Sequence, residues 1–223
     1  MLDGDFFIRC YKSHLKKQSV DKYEDLNPER LACTIHTRCL KHINKKNDEE
    51  LYRIFFYDCK PLEKRVHYPY TQKALDLSKS STYKERKKLH KHLISKPCLA
   101  LRLGYLDEKN AKWVIRDQEK EKKLFNRKIS IEEFQNDDFI YHAKQKGVDI
   151  KIGLDIATLA LKKLVQKIVL ISGDSDFVPA AKLARVEGII FTLDPMGNPI
   201  REDLEEHIDY LTTRLPQFKK QQQ

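Results

Sequence analysis

Residues 167–183 read KIVLISGDSDFVPAAKL. Ile168 to Ser172 form a short apolar or small run, the pattern of a strand buried on both faces. Gly173 permits a sharp turn, and Asp174 and Asp176 follow two residues apart where the chain leaves the strand. From Phe177 onward the pattern is helical, with Pro179 in the first turn, where it removes no helical hydrogen bond. Strand, turn and helix in this order build parallel α/β sheets, whose ligands lie beyond the carboxyl ends of the strands. Two carboxylates there make an oxygen-rich site that suits Mg²⁺ or Mn²⁺. An Asx turn followed by a helix cap explains the same residues without chemistry.

The flanking segments continue the alternation. Before it, Lys146-Gly147-Val148-Asp149 opens a segment in which Ile152, Ile156, Leu159, Ala160 and Leu164 recur at helical spacing. Asp149 suits the N-cap of that helix. Asp155 interrupts an otherwise greasy helix, and a buried carboxylate has to be paired or hold a metal. Asp155 is therefore assigned to function and Asp149 to capping. After it, a helix ends at Gly188, Ile189 to Leu193 form another buried strand, and Asp194 sits at its exit. Ile200 to Thr213 reads as a closing amphipathic helix.

Toward the amino terminus, Met1 to Phe7 (MLDGDFF) reads as the end of a strand and a turn, with Asp3 and Asp5 at the exit. A helix starts from Phe6, and a second spans Asn27 to Ile43, with Asn27 as N-cap and Pro28 in the first turn. Arg53 to Tyr57 is a strand with Asp58 at its exit, and Cys98 to Leu103 is a third. Tyr105 to Arg116 reads as a hairpin turning through Asp107-Glu108-Lys109-Asn110, and Gln118 to Lys128 as a charged connector. The alternation argues for α/β architecture with a mostly parallel central sheet between helical layers.

Composition narrows the partner. The 223 residues carry a net charge of +10 and are 40% hydrophobic, enough for a core beneath a wet surface. A basic surplus favours a polyanion, nucleic acid first. Pro61 to Pro97 holds ten Lys/Arg against three acids, with Tyr68, Tyr70 and Tyr83 interleaved. Lys84 to Ile94 reads as a helix with one basic face. Lys84, Arg86, Lys87, Lys88 and Lys91 are its candidate RNA contacts, unless the run is simply a solvated face. No apolar run is long enough to cross a membrane and no signal peptide is apparent, so the expectation is a cytoplasmic protein. Five irregularly spaced cysteines fit reduced thiols. Cys33, His36, Cys39 and His42 recur every three residues, but on one helix the first and last lie roughly 13 Å apart and on opposite sides, too far for one Zn²⁺.

Three pieces now stand together: Asp3-Gly4, Lys146-Gly147-Val148-Asp149 with Asp155 six residues on, and Ser172-Gly173-Asp174-Ser175-Asp176-Phe177. In this order they resemble the NYN domain, a branch of the PIN-like nucleases, and Arg53 to Asp58 looks like that family's second strand. The likeness is closest from Gly147 to Leu193. Where the family often carries Asn three residues after the first Asp, this chain has Phe6, and Asp5 is an extra acid. The resemblance implies a three-layer PIN-like, Rossmann-like fold with a divalent metal, Mg²⁺ or Mn²⁺, held by acids that cut RNA, by endonucleolytic action. The matching acids are Asp3, Asp155, Asp174 and Asp176. It also implies a single domain over residues 1–215 with a basic helical and hairpin insertion at about 61–145, and a polar tail at 216–223. Asp3-Gly4-Asp5 also matches the opening of haloacid-dehalogenase-like phosphatases. Their late motif requires an acid where this chain has Val178 and Pro179. An RNA-binding or scaffold module with an idle site is the other reading. A homo-oligomer is left open.

Overall fold

The computed structural model describes residues 1–17 and 26–214; the polar tail at 216–223 lies outside them. The central sheet has seven strands. In chain order these are β1 (Leu2–Asp3), β2 (Ile54–Cys59), β5 (Leu99–Leu106), β8 (Gln145–Lys146), β9 (Lys167–Ile171), β10 (Ile190–Asp194) and β11 (Tyr210–Leu211). Their order in space is β11-β10-β9-β1-β2-β5-β8, and every pairing except β5 with β8 is parallel. Asp3 lies beside Tyr57, and Leu2 beside both Phe56 and Ile171.

Side chains alternate across the sheet. Phe55, Tyr57 and Cys59 point to one face, into a core shared with α5 (Val148–Leu161) and α6 (Val178–Val186). Phe56, Leu2 and Ile171 point to the other, into a core shared with α1 (Gly4–Lys17), α2 (Pro28–Leu40) and α3 (Ser81–Ile94). Helices therefore cover both faces, and β2, buried along its whole length, runs through the middle. This is the α/β arrangement with a mostly parallel sheet that the alternation argued for. Asn27 caps α2 as expected, accepting the Arg30 N–H at 2.9 Å.

Between β2 and β8 the chain forms two small antiparallel ladders. One pairs β3 (Arg65–His67) with β4 (Ala74–Asp76), the other β6 (Lys112–Ile115) with β7 (Phe139–His142). The expected hairpin over Tyr105 to Arg116 is therefore corrected. At Tyr105 and Leu106 β5 finds its antiparallel partner in β8, and the next residue, Asp107, donates its N–H to Lys144 O. Trp113 faces Tyr141 across the β6–β7 ladder and packs on Tyr68. Aromatic pairing across 28 residues overrides the local turn signal. The charged connector is helix α4 (Gln118–Phe125), capped by the Asp117 carboxylate on Glu119 N–H.

The closing helix is also corrected. Only α7 (Glu202–Glu205) is helical, and the chain then straightens into β11. Asp209 forces the change: its backbone N–H donates to Phe191 O, and its carboxylate accepts the Phe191 N–H at 2.7 Å and the Arg185 guanidinium at 3.0 Å. Among the described residues no helix is long and apolar enough to cross a membrane.

Candidate active site

Parallel strands β9, β1 and β2 bring their carboxyl ends together, and acids gather there. Asp3 ends β1, and its Oδ1 accepts the Phe6 N–H at 3.1 Å in the first turn of α1. Gly4 makes this exit possible. A Cβ there would stand 2.6 Å from the Tyr57 carbonyl oxygen, so β1 can turn into α1 this close to β2 only without a side chain. Asp174 follows β9; its Oδ1 accepts the Asp176 N–H at 2.9 Å and opens a short 3₁₀ turn, Ser175–Phe177, that leads into α6. Asp149 lies in the first turn of α5.

Asp149 is not the N-cap. Gly147 takes that place with φ +77°, a conformation that suits glycine, and makes no side-chain cap. The Asp149 carboxylate is free to face the other acids. Its pKa is raised, first by desolvation and then by the charges of Asp174 and Asp176. Burial pushes Asp3 up to about 6 from 3.8; the Phe6 N–H and Arg9 oppose the rise, while Asp5 and Asp149 add to it. Asp3, Asp149, Asp174 and Asp176 therefore form one electrostatically coupled group.

Asp155 stands apart from it. Six residues beyond Asp149 on the same helix, it is displaced by about 9 Å along the axis and turned by about 120°. Its Oδ2 accepts the Tyr57 hydroxyl at 2.8 Å and pairs with the Arg102 guanidinium at 3.2 Å. Tyr57 is fully buried, and its pKa rises through burial and then the Asp155 hydrogen bond. A carboxylate in this helix needs a partner or a metal, and here the buried phenol and Arg102 pair with it. The capping expectation for Asp149 is corrected, and Asp155 fastens α5 to the sheet.

The basic helix divides in the same way. Lys84, Lys87, Lys88 and Lys91 are exposed on α3. Lys87 donates to the Tyr83 hydroxyl at 3.1 Å and lies 3.8 Å from Glu63. Arg86 is turned inward, held by Asp58 at 3.0 Å and Asp5 at 3.4 Å, and His90 contacts the same Asp58 oxygen at 2.7 Å. Asp58 is 2% exposed, so Arg86 compensates a buried charge and is not a free cation for RNA.

Arg201, which sequence reasoning passed over, reaches the acid edge from the loop after β10. It donates to Ser175 Oγ at 3.2 Å, between Asp174 and Asp176, and pairs with Asp203 at 2.8 Å. No local motif marks it; only its place beyond the carboxyl end of a strand would have suggested it.

The residues proposed against a zinc site do separate tasks. His36 Nε2 meets Pro97 O, Lys96 donates to Cys33 Sγ, and His42 lies 3.0 Å from Asp194. A cleft of about 810 Å³ opens between β2 and β9 at the opposite, amino edge, lined by residues such as Tyr52, Arg53, Lys163 and Lys167, and it contains none of the four acids.

The sequence profile of the NYN domain matches residues 65–210, well over half of the chain. The chain belongs to the NYN domain family. The matched span includes Asp149, Asp155, Asp174 and Asp176 and begins after β2; Asp3 lies outside it, on β1 between β9 and β2. No curated protein and no solved structure matches the chain.

The donor set of this NYN site is all carboxylate, the chemistry of Mg²⁺ and Mn²⁺ sites. Among the described residues no three His, Cys, Asp or Glu side chains stand close enough together to hold one ion. Mg²⁺ is commonly held by one or two carboxylates with water completing the shell, and the four acids fit that mode.

Proposed function

We propose that this NYN domain is a PIN-like, divalent-metal-dependent ribonuclease that hydrolyses phosphodiester bonds at the carboxyl edge of its sheet. One observation carries the reading. In a chain with ten surplus positive charges, four of the less exposed acids elsewhere are paired with cations: Asp58 with Arg86, Asp107 with Lys146, Asp138 with Lys120, Asp155 with Arg102. Asp149, Asp174 and Asp176 make no ion pair among the described residues, although they repel one another. Concentrated, uncompensated negative charge costs stability and is expected where a cation is to be held.

One or two of Asp3, Asp149, Asp174 and Asp176, with water completing the shell, would hold Mg²⁺ or Mn²⁺. A dication bound there neutralises charge on the phosphate and makes water a stronger acid. On Asp3, the oxygen not held by the Phe6 N–H is open to accept a proton from the attacking water. Arg201 and the exposed lysines of α3 supply positive charge for the nucleic-acid backbone. Water as nucleophile, with the 3′ oxygen leaving, gives a 5′-phosphate and a 3′-hydroxyl; attack by the RNA's own 2′-hydroxyl would leave a cyclic phosphate.

The test is a cleavage assay on single-stranded RNA with Mn²⁺, with Mg²⁺ and with EDTA, repeated with Asp174→Asn. Cleavage that needs the dication, leaves 5′-phosphate ends and falls on the order of 10²-fold or more in the variant supports the reading. Activity that survives both EDTA and Asp174→Asn overturns it. RNA binding without cleavage would leave the chain as a binding module.

A further inference from the structure

Two aromatic rings bracket the acid group, each seated on a glycine that opens an acid-bearing segment. The Phe6 ring lies on Gly173, directly before Asp174: a Cβ at Gly173 would stand 2.6 Å from Cε2 and 3.1 Å from Cζ of Phe6. The Tyr105 ring lies on Gly147, two residues before Asp149: a Cβ there would stand 3.6 Å from Cε1 and 3.9 Å from Cδ1 of Tyr105. The two glycines thus fix both rings relative to the acids that follow them.

Core packing does not account for Tyr105. It is 61% exposed, and its hydroxyl has no hydrogen-bond partner among the described residues. Its surroundings are basic: Lys146 is its cross-strand neighbour, and Lys151 donates to Leu103 O on the same strand. Phe6 is partly buried against the α1 core and belongs to the turn held by Asp3.

We propose that Phe6 and Tyr105 are stacking platforms for unpaired bases on either side of the phosphodiester at the acid group, so that the substrate is single-stranded nucleic acid with its bases splayed. The inference rests on the nuclease reading for its placement, though not for its test. Every base has a π-face, so such platforms bind without sequence preference. Gly173 follows β9 and Tyr105 belongs to β5, three strand spacings or about 14 Å apart along the sheet edge. In a duplex each base face is covered by its neighbour at about 3.4 Å, so a paired helix offers no free π-face to either ring.

The experiment measures binding in an Asp174→Asn background, using the full chain and a fluorescein-labelled 12-nucleotide single strand. Three further probes are the same strand with abasic positions, a duplex of the same sequence, and the single strand bound to Tyr105→Phe and Tyr105→Ala proteins. Tyr105→Ala should bind the intact strand about ten-fold more weakly, and Tyr105→Phe as well as the parent. The abasic strand should show no further loss with Tyr105→Ala. Unchanged affinity in Tyr105→Ala, an equal loss on the abasic strand, or a duplex bound as tightly as the single strand would each overturn the platforms. Phe6→Leu, which keeps apolar contact with the core but lacks the π-face, should also weaken binding of the intact strand. Cleavage by the unmodified chain is scored separately. Cleavage with ring-independent binding defeats the platforms alone, and ring-dependent binding without cleavage defeats the nuclease reading alone.

Discussion

The Tyr57 hydroxyl and the Asp155 carboxylate, 98 positions apart in sequence, share a hydrogen bond of 2.8 Å that joins the central strand β2 to helix α5. The same helix presents Asp149 to the acid group about one and two-thirds turns earlier. A separation of roles follows. Asp155→Ala should lower stability by about 1–3 kcal/mol, because the buried phenol loses its acceptor. Asp149→Asn should not lower the melting temperature, since it removes a desolvated charge repelled by Asp174 and Asp176, and should lower cleavage by an order of magnitude or more. Thermal denaturation and rates on the two variants decide it, and the opposite distribution would return Asp155 to the site.

Asp3 predicts a trade between stability and function. Its pKa in the folded chain is raised to about 6 from 3.8. The folded state therefore holds this proton more tightly than the unfolded state, and stability falls as pH rises through the window from about 4 to 6. Above it the metal-free protein carries a penalty on the order of 2–3 kcal/mol. Asp3→Asn should remove that penalty at pH 7, with the gain vanishing below pH 4. Urea unfolding in EDTA at both pH values measures it. Added Mn²⁺ should narrow the gap by stabilising the parent. Equal stability at pH 7 would contradict the assignment.

Helix α3 predicts a contrast between lysine and arginine. Replacing Lys84, Lys88 and Lys91 with Gln should preserve folding, weaken RNA binding, and flatten its logarithmic salt dependence by about 0.7 per lost phosphate contact on a single strand. Arg86→Gln should instead destabilise the fold by about 2 kcal/mol or more, because Asp58 is buried and loses its cation, keeping only His90 and the Cys59 N–H as partners. Salt titrations and denaturation curves separate the two effects. A salt slope that Arg86 governs and the lysines do not would refute this division.

Gly4 should tolerate no side chain. In Gly4→Ala the new methyl meets the Phe56 ring at 2.5 Å and the Tyr57 carbonyl oxygen at 2.6 Å, and the carbonyl belongs to the central strand and cannot retreat. A loss of about 1–3 kcal/mol is expected, with Asp3 displaced and Mn²⁺ affinity reduced in parallel. Unfolding and metal titration on one preparation test the coupling.

What the sequence made legible was local. Ile168 to Ile171 and Ile189 to Leu193 announced buried strands, and Asn27-Pro28 announced the start of a helix. The acid-bearing turn after β9 was visible because glycine and aspartate residues crowd a strand exit. What stayed hidden depended on partners distant in sequence. Periodicity identified α5 but could not say whether Asp149 or Asp155 faced the acid edge. That choice is made by the Tyr57 phenol. Trp113 found Tyr141 instead of a nearer strand, and Asp209 diverted a helical-looking segment onto the edge of β10. Arg86 sat in a run of basic residues with nothing to mark it until Asp58 and Asp5 closed on it.

The sheet ends on each side in a strand of two residues, β11 at one margin and β8 at the other. A free edge is a template on which another chain can add itself, and fibrillar growth begins from long, flat, uncapped ones. Here β11 covers β10 at Thr192 and Leu193, and β8, which carries Lys146, covers β5 at Tyr105 and Leu106. The short C-terminal strand thus acts as a guard as well as a structural element. A chain cut before Glu206 would bare the five-residue margin of β10, whose last four residues are buried, and would be more prone to self-association.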